Sequence, residues 1–194
     1  MQHPRPELPV YSRDQDQDRL LAIVGLITFI LWLSLRPHRP RIFLNDFSVP
    51  ALGQGSGGPE NAQINFKVTA RNSNQGIGIY YDASQVTVYY GEKSVGGHQV
   101  LTPFYQQPKN STMFASVLSG SSLTVTGSQW KHMMNDRSRG PVIFRVELTS
   151  TIRFKISSWN SKRHRMHANC PVGVGYDGLL LPVYMDKRCP VYFS

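Results

Sequence analysis

Cysteine and acidic side chains are the scarce residues of this 194-residue sequence. Its two cysteines, Cys170 and Cys189, cannot by themselves make a four-ligand zinc site, and they form no Cys-x-x-Cys redox pair. They leave two alternatives, one disulfide or two free thiols in the core. Asp and Glu number only 12 against 21 Lys and Arg, so the formal net charge is +9. This excess favours an anionic partner: nucleic acid, lipid headgroup or acidic polysaccharide.

Catalytic motifs are also missing. The sequence has no Gly-x-Ser-x-Gly elbow, and its acidic residues form no pair of the kind that a glycosidase requires. His164 and His167 are three residues apart, but they lie in a basic run whose field disfavours a metal cation. Residues 173–178 match Gly-x-Gly-x-x-Gly, yet the strand-like segment 179–183 follows where a dinucleotide site needs a helix. We therefore expect a glycine-rich hairpin there, and a protein that is not an enzyme and holds no cofactor or metal.

One long hydrophobic run lies near the N-terminus. Residues 20–35, LLAIVGLITFILWLSL, carry no charge and would form a helix of roughly 24 Å, against a hydrocarbon core of about 30 Å. Arg19 and Arg36 flank the run and can extend towards the headgroups, and Trp32 is near its C-terminal end, where interfacial aromatic residues are favoured. Residues 36–41 offer no small side chains for signal-peptide cleavage, and a core helix would be amphipathic. The run therefore predicts an uncleaved transmembrane signal-anchor.

After this run, the pattern changes to the two-residue period of β-strands. Residues 63–71 alternate between apolar and polar side chains, and the alternation returns at 142–148. Further short apolar segments with turn residues between them are typical of an antiparallel β-sandwich, and only residues 128–136 have a pattern that allows a helix.

The sequence thus divides into four predicted segments. These are a cytosolic tail at 1–19, the transmembrane anchor at 20–35, a juxtamembrane stem and linker at 36–59, and an all-β domain at 60–194. Pro37, Pro40 and the glycine-rich residues 53–59 indicate the stem and the linker.

Two surface features are candidates for function. The basic run 162–167 is either a solvated loop or, through Lys162, Arg163 and Arg165, a patch that binds lipid headgroups or an anionic polymer. Asn110 begins the sequon Asn-Ser-Thr, although a chain with nine Asn contains about one sequon by chance. A domain across the membrane does not meet nucleic acid, so we do not expect nucleic acid as a partner.

Several motifs in this order resemble a known family. They are residues 64–74 (INFKVTARNSN), 103–106 followed by 109–112, 153–155 followed by Trp159, and Cys170 with 187–191. Their order and spacing are similar to those of the plant NHL proteins, the non-race-specific-disease-resistance and harpin-induced-like family with a late embryogenesis abundant group 2 domain. The likeness covers about residues 20 to 194. It departs from the usual Asn-Pro-Asn of the family at Ser73, where we expect a looser turn.

The resemblance implies an immunoglobulin-like or fibronectin type III-like sandwich that faces the apoplast, a cytosolic N-terminus and residence in the plasma membrane. An outward domain matures in an oxidising compartment, so we expect a Cys170–Cys189 disulfide and a glycan on Asn110. The implied function is binding by the extracellular domain in plant defence or stress, with anionic cell-wall polymer or other membrane proteins as partners. The alternatives are a structural protectant during water loss and a membrane-contact tether.

Overall fold

The computed structural model describes residues 13–34, 36–54 and 58–194, and it divides into two compact units. The first unit, Met1–Arg36, contains the helix α1 (Arg13–Ser34). The predicted tail and anchor extend into residues 1–12 and 35, and the predicted linker extends into 55–57, all of which lie outside the described residues.

Helix α1 carries an apolar surface on all its sides between Leu20 and Ile30, because every position along these three turns is exposed. Its exposed large apolar side chains are Leu20, Leu21, Ile23, Val24, Leu26, Ile27, Phe29, Ile30 and Trp32. The hydroxyl of Thr28 donates a hydrogen bond to the carbonyl of Val24 at 2.7 Å, so the helix itself satisfies this polar group. Of the helices in the described part of the chain, none is at once long enough and apolar enough to cross a membrane.

The second unit, Pro37–Ser194, is built from two antiparallel sheets. The four-stranded sheet contains, in spatial order, β10 (Lys187–Cys189), β1 (Arg41–Ser48), β2 (Ile64–Arg71) and β6 (Ser111–Leu118). The larger sheet contains, in spatial order, β11 (Val191–Phe193), β9 (His164–Val174), β7 (Val142–Ile156), β3 (Ile77–Tyr90) and β4 (Lys93–Leu101). Two short strands complete it: β5 (Phe104–Gln106) pairs with β3, and β8 (Trp159–Asn160) pairs with β7. Two helices, α2 (Pro50–Gln54) and α3 (Gly127–Arg139), lie in the connections, as do single 3-10 turns at Pro59–Asn61, Gly120–Ser122 and Pro182–Tyr184.

One hydrophobic core lies between the two sheets. The alternating residues of β2 point into it as the sequence predicts, with Ile64, Phe66 and Val68 at most 2% exposed. Phe47 of the small sheet packs against Phe144 of the large sheet, with ring centroids 5.5 Å apart. The all-β, antiparallel prediction is confirmed. The finer likeness to immunoglobulin or fibronectin type III domains stays a prediction.

The β-domain also contains residues that the sequence analysis assigned to a stem and linker. Strand β1 pairs with β2 and β10, and its side chains Ile42, Leu44 and Phe47 are at most 1% exposed. Leu52 of α2 is fully buried in the same core. The compact unit therefore begins at Pro37 rather than at residue 60, because β1 lies inside the four-stranded sheet and its apolar side chains lie in the core.

A disulfide joins the two sheets. Cys170 lies on β9 of the large sheet and Cys189 on β10 of the small sheet, and they form a disulfide with their Cα atoms 4.7 Å apart. The prediction of this disulfide is confirmed. Both cysteines are 2% exposed, so the bond lies within the core.

Candidate functional site at the stem end of the β-domain

The β-domain has two ends with different surfaces. At one end, which we name the stem end, β1 begins at Arg41 opposite the last residue of β2, and β3 begins at Ile77 opposite the last residue of β7. The stem end comprises residues 37–41, 71–78, 105–111, 153–165 and 191–194. The opposite end, which we name the far end, comprises residues 48–54, 58–63, 90–94, 119–142 and 174–184.

A buried asparagine, Asn72, joins the sheets at the stem end. Its side chain is fully buried, and its Nδ2 donates to the carbonyls of Ile77 at 2.8 Å and Gln107 at 3.1 Å. Its Oδ1 accepts from the backbone N–H and the side-chain Nδ2 of Asn74, at 3.0 and 2.9 Å. Buried polar groups need such partners, so Asn72 fixes three chain segments against one another.

The second asparagine, Asn74, extends this network to the start of the domain. Its Oδ1 accepts from the backbone N–H of His38 at 2.7 Å, and its Nδ2 donates to the carbonyl of His38 at 2.9 Å. Its own carbonyl accepts from the N–H of Lys109 at 3.0 Å. The turn at Ser73, which we expected to be looser than that of the family, is held by hydrogen bonds of the two flanking asparagines.

Positive charge is concentrated at the stem end. Its segments contain no Asp or Glu, and they contain nine basic residues: Arg39, Arg41, Arg71, Lys109, Arg153, Lys155, Lys162, Arg163 and Arg165. Asp82 lies nearby, 3.7 Å from Arg153 and 3.8 Å from Arg163. The side chain of Arg163 is 70% exposed, so water screens its pairing with this carboxylate and the positive field persists.

Two tyrosines and two cations form a cluster on the outer face of the large sheet. Tyr80 and Tyr105 lie with ring centroids 4.6 Å apart, and the Nζ of Lys155 is 5.8 and 5.6 Å from the two centroids. The guanidinium of Arg153 lies 5.5 Å from the Tyr80 centroid. These are cation–π distances, so the aromatic rings orient both cations. Gly78 makes room for the cluster, since a Cβ there would lie 2.1 Å from the Tyr105 hydroxyl.

An exposed tryptophan projects from the same end. Trp159 pairs with Ile156 in the tight hairpin between β7 and β8, in which Ser157 has a φ of 55°. Its side chain is 61% exposed, although a tryptophan side chain is usually mostly buried because of its large apolar surface. The stem end thus combines exposed cations with an exposed, amphipathic aromatic ring.

Comparison with known proteins identifies the family. A family model described as Late embryogenesis abundant protein (LEA_2) matches residues 67–170, more than half of the chain. The chain belongs to this family. The resemblance to the NHL proteins is confirmed as well.

Several relatives from Arabidopsis thaliana match this late embryogenesis abundant protein over most of its length. NDR1/HIN1-like protein 26 is 29% identical over 75% of this chain and 69% of its own. NDR1/HIN1-like protein 1 is 26% identical over 81% of this chain and 76% of its own length. Protein NDR1 is 29% identical over 80% of this chain and 72% of its own length. A solved structure, a crystal structure of a protein from Archaeoglobus fulgidus, aligns with 69% of this chain and 95% of that chain at 11% identity and a TM-score of 0.32.

The late embryogenesis abundant domain brings the predicted basic residues to one place and adds others. Lys162, Arg163 and Arg165 are exposed at the start of β9, within the stem end. The sequence analysis missed Arg153 and Lys155, which β7 places beside them. The signal was present in the alternation of β7, which assigns 153 and 155 to the outer face once 152 and 154 are assigned to the core.

The sequon residue Asn110 is also exposed at the stem end. Its Oδ1 accepts a hydrogen bond from the backbone N–H of Ser111 at 2.8 Å, and its carbonyl accepts from the N–H of Asn72 at 2.9 Å. Glycosylation of Asn110 stays a prediction.

The two histidines of the basic run have structural partners. The ring of His164 stacks on that of Phe193 at 5.7 Å, which secures the C-terminal strand β11. The Nδ1 of His167 lies 3.0 Å from a carboxylate oxygen of Glu147. Within residues 13–34, 36–54 and 58–194, no three His, Cys, Asp or Glu side chains come together as a metal site.

A cavity extends from the far end along neighbouring residues of β7 and β9. It has a volume of about 830 Å³ and is lined mainly by Tyr90, His132, Asp136, Ile143, Pro171 and Pro190. The hydroxyl of Tyr90 donates to the carboxylate of Asp136 at 2.5 Å, and burial together with this bond raises the pKa of Tyr90 to about 12.

The glycine motif at 173–178 reverses the chain at the far end. Gly178, with a φ of 78°, ends the turn, and the N–H of Leu181 donates to the carbonyl of Gly173 at 2.9 Å. The expected glycine-rich hairpin is present, but the strand expected after it reduces to two isolated bridges, Ser48–Leu179 and Val174–Leu180, and a 3-10 turn that starts at Pro182. Proline lacks the N–H that a longer strand would use.

Proposed function

We propose that this late embryogenesis abundant protein is a single-pass plasma-membrane protein without enzymatic activity, whose extracellular β-domain binds an anionic partner in plant defence or stress. The basic and aromatic stem end is the observation that carries the proposal. The disulfide supports an outward β-domain, because such bonds persist in oxidising compartments. Similarity to NDR1/HIN1-like proteins supports the role in defence or stress.

The proposed anchor is the apolar segment 20–35. Its exposed side chains are apolar on all sides of α1 from Leu20 to Ile30, whereas a helix that lies flat on a membrane has one polar face. A length of roughly 24 Å is short for a bilayer core of about 30 Å. Arg19 and Arg36 can compensate by extending to the headgroups, and the bilayer can thin locally.

The anchor is tested by extraction of membranes with alkaline carbonate. The full chain should stay in the pellet, and the double variant Val24→Arg/Ile27→Arg should move to the supernatant, since each charge at the centre of a bilayer costs about 3 kcal/mol. The matched control Val24→Leu/Ile27→Leu should stay in the pellet. Release of the unaltered chain would refute the anchor.

The orientation is tested with the sequon. In membranes from plant cells, endoglycosidase should lower the apparent mass of the chain, and Asn110→Gln should abolish that change. Protease added outside intact cells should digest the β-domain and spare an epitope placed at the N-terminus. Protection of the β-domain from external protease would reverse the proposed orientation.

A structural protectant is the second candidate, and the family description, late embryogenesis abundant protein, favours it. The two roles predict different changes in transcript level. The transcript of a defence protein should rise after exposure to a pathogen, and that of a protectant should rise on drying. Loss of the gene should correspondingly impair either resistance or survival of water loss. Replacement by a chain with Lys162→Glu, Arg163→Glu and Arg165→Glu should fail to restore resistance if the stem end binds the partner.

A further inference from the structure

We infer that the partner of the stem end is the phosphate headgroup layer of the membrane that holds the chain, with Trp159 inserted at the interface. The inference rests on the proposed anchor and names the partner of the same basic surface. The occupant is a lipid surface rather than a soluble polymer or a second protein.

The connection between anchor and β-domain limits where the stem end can be. Only Arg36 and Pro37 separate the proposed anchor from His38, and the three residue steps from 35 to 38 span at most ~11 Å. The backbone of His38 is held by both side-chain groups of Asn74, and Asn72 in turn holds Asn74. The headgroups next to the anchor are therefore within reach of the stem end.

Arg39, the residue after His38, is also joined to the β-domain. Arg39 donates to the carbonyl of Val191 at 3.1 Å, and its guanidinium lies 5.1 Å from the ring centroid of Phe193. These contacts join residues 38 and 39 to both sheets, so the residues that follow Pro37 belong to the β-domain rather than to a flexible linker.

The charge of the stem end complements phosphate. Its segments contain nine cations and no Asp or Glu, and Asp82 lies near two of these cations, Arg153 and Arg163. Headgroup phosphates can accept charge-assisted hydrogen bonds from the other cations. The far end offers no such match, because Lys93, Lys131, Arg137 and Arg139 are balanced there by Glu60, Glu92, Asp136 and Asp177. The proposed orientation thus places the positive end on the lipid.

The exposed aromatic side chains at the stem end suit a lipid surface. Trp159 stands at the tip of a hairpin with 61% of its surface exposed, and tryptophan prefers the boundary between headgroups and acyl chains. Tyr105, 40% exposed, presents a ring and a hydroxyl of the same amphipathic kind. Aromatic rings also stack on sugars, so the short connection to the anchor is what favours lipid over a polymer of acidic sugars.

The sequon residue Asn110 and the Trp159 hairpin belong to different sheets. Ser111, which follows Asn110, begins β6 and pairs with Arg71 in the small sheet, whereas the Trp159 hairpin belongs to the large sheet. The inference therefore assigns the lipid contact to the large sheet, and a glycan would extend from the small sheet.

The test uses the fluorescence of Trp159 in the full chain, reconstituted in vesicles that contain brominated phosphatidylcholine, with and without phosphatidylserine. The emission of Trp159 is obtained by subtracting the spectrum of the Trp32→Phe/Trp159→Phe chain from that of the Trp32→Phe chain. The buried Trp130 is present in both chains, so its emission cancels and the core is left unchanged. We expect brominated lipid to reduce the intensity of the Trp159 emission at least twofold. We also expect the emission maximum of Trp159 in vesicles to lie at a shorter wavelength than in detergent.

A matched reporter at the far end is provided by Tyr176, which is 76% exposed. The chain Trp32→Phe/Trp159→Phe/Tyr176→Trp should show no quenching of the new tryptophan. Equal quenching at both ends would show that the β-domain has no preferred orientation, which would overturn the inference.

The charge contribution is tested with substitutions on the exposed surface. Lys162→Glu/Arg163→Glu/Arg165→Glu should abolish most of the Trp159 quenching in vesicles with phosphatidylserine, whereas the far-end control Lys93→Glu/Lys131→Glu should retain it. No effect of the stem-end charges would overturn the role of phosphate.

The outcomes separate this inference from the proposed function. A chain that resists carbonate extraction but shows no Trp159 quenching keeps the anchor and refutes the lipid contact. A chain that carbonate releases refutes the anchor itself. If soluble polygalacturonate shifts the Trp159 emission while brominated lipid does not quench it, the partner is an acidic polymer and the inference is wrong.

Discussion

The stem end and the far end of the β-domain share the same two sheets but have different surfaces and different means of support. The stem end is positively charged, exposes Trp159, and is held by the polar side chains of Asn72 and Asn74. The far end has balanced charges and is covered by α3, whose Trp130 and Met133 are 6% and 1% exposed. The comparison shows that the sheets supply the frame, while the loops at each end decide what the surface can bind.

The two ends also differ in what happens when a contact is removed. Loss of a buried polar partner leaves other polar groups unsatisfied, whereas loss of a helix cap weakens one helix. This difference can be tested by substitutions at each end.

The largest effect is expected from the disulfide, which supports both ends. Cys170→Ala/Cys189→Ala opens a loop with a sequence separation of 19, and we expect the free energy of unfolding to fall by about 3 kcal/mol. Denaturant unfolding measures this loss. Amide exchange should accelerate at both ends, since the bond joins the two sheets. Acceleration confined to residues 174–184 would show that the disulfide secures only the far-end loop.

At the stem end, Asn72→Ala should reduce stability by about 2 kcal/mol, because it leaves the carbonyls of Ile77 and Gln107 and the amide groups of Asn74 without this partner. Amide exchange should speed up at the stem end while the far end keeps its protection.

Ser73→Ala is the matched control for Asn72→Ala. Its hydroxyl is buried and has no hydrogen-bond partner in the described part of the chain, so its removal should leave stability unchanged or slightly increased. A loss at Ser73 as large as that at Asn72 would contradict the role assigned to the asparagine pair.

At the far end, Thr126→Ala should cost about 1 kcal/mol. The hydroxyl of Thr126 accepts from the N–H of Gln129, and this bond is lost in the variant. The backbone N–H of residue 126 can still donate to the Gln129 side chain, so half of the capping box remains. The exposed residue Lys131 of the same helix gives the control Lys131→Ala, for which little change is expected. Thermal unfolding measured by circular dichroism compares the two, and equal losses would show that the cap contributes nothing.

The smallest effect is expected for Tyr90→Phe, which removes the bond to Asp136 and should lower stability at pH 8 by about 0.5 kcal/mol. Because the pKa of Tyr90 is raised to about 12, the phenol stabilises the fold fully below pH 10 and loses this contribution as the pH rises towards 12. The difference between Tyr90→Phe and the unaltered chain should therefore narrow in urea unfolding at pH 11. A constant difference from pH 8 to pH 11 would contradict this account.

Local sequence patterns determined the class of the fold and the places of several elements. The period of two at 63–71 and 142–148 required strands with one buried face, and the turn and strand residues around them required antiparallel pairing. The helical pattern at 128–136 lies within α3, and the basic run 162–167 indicated a charged surface. The disulfide followed from the family resemblance and its implied location.

Only the tertiary structure decided which surfaces these elements form together. Arg153, Lys155 and Tyr105 meet at the stem end because β7, β3 and β5 are neighbours in one sheet, and sequence separation hides such neighbours. From the sequence, Asn72 and Asn74 could be recognised only as residues that favour a turn. Their hydrogen bonds to Gln107 and His38 could not be predicted, because these partners lie 35 and 36 residues away along the chain. Periodicity is a local property that one segment fixes by itself, whereas a site assembled from several strands depends on how the chain folds back on itself.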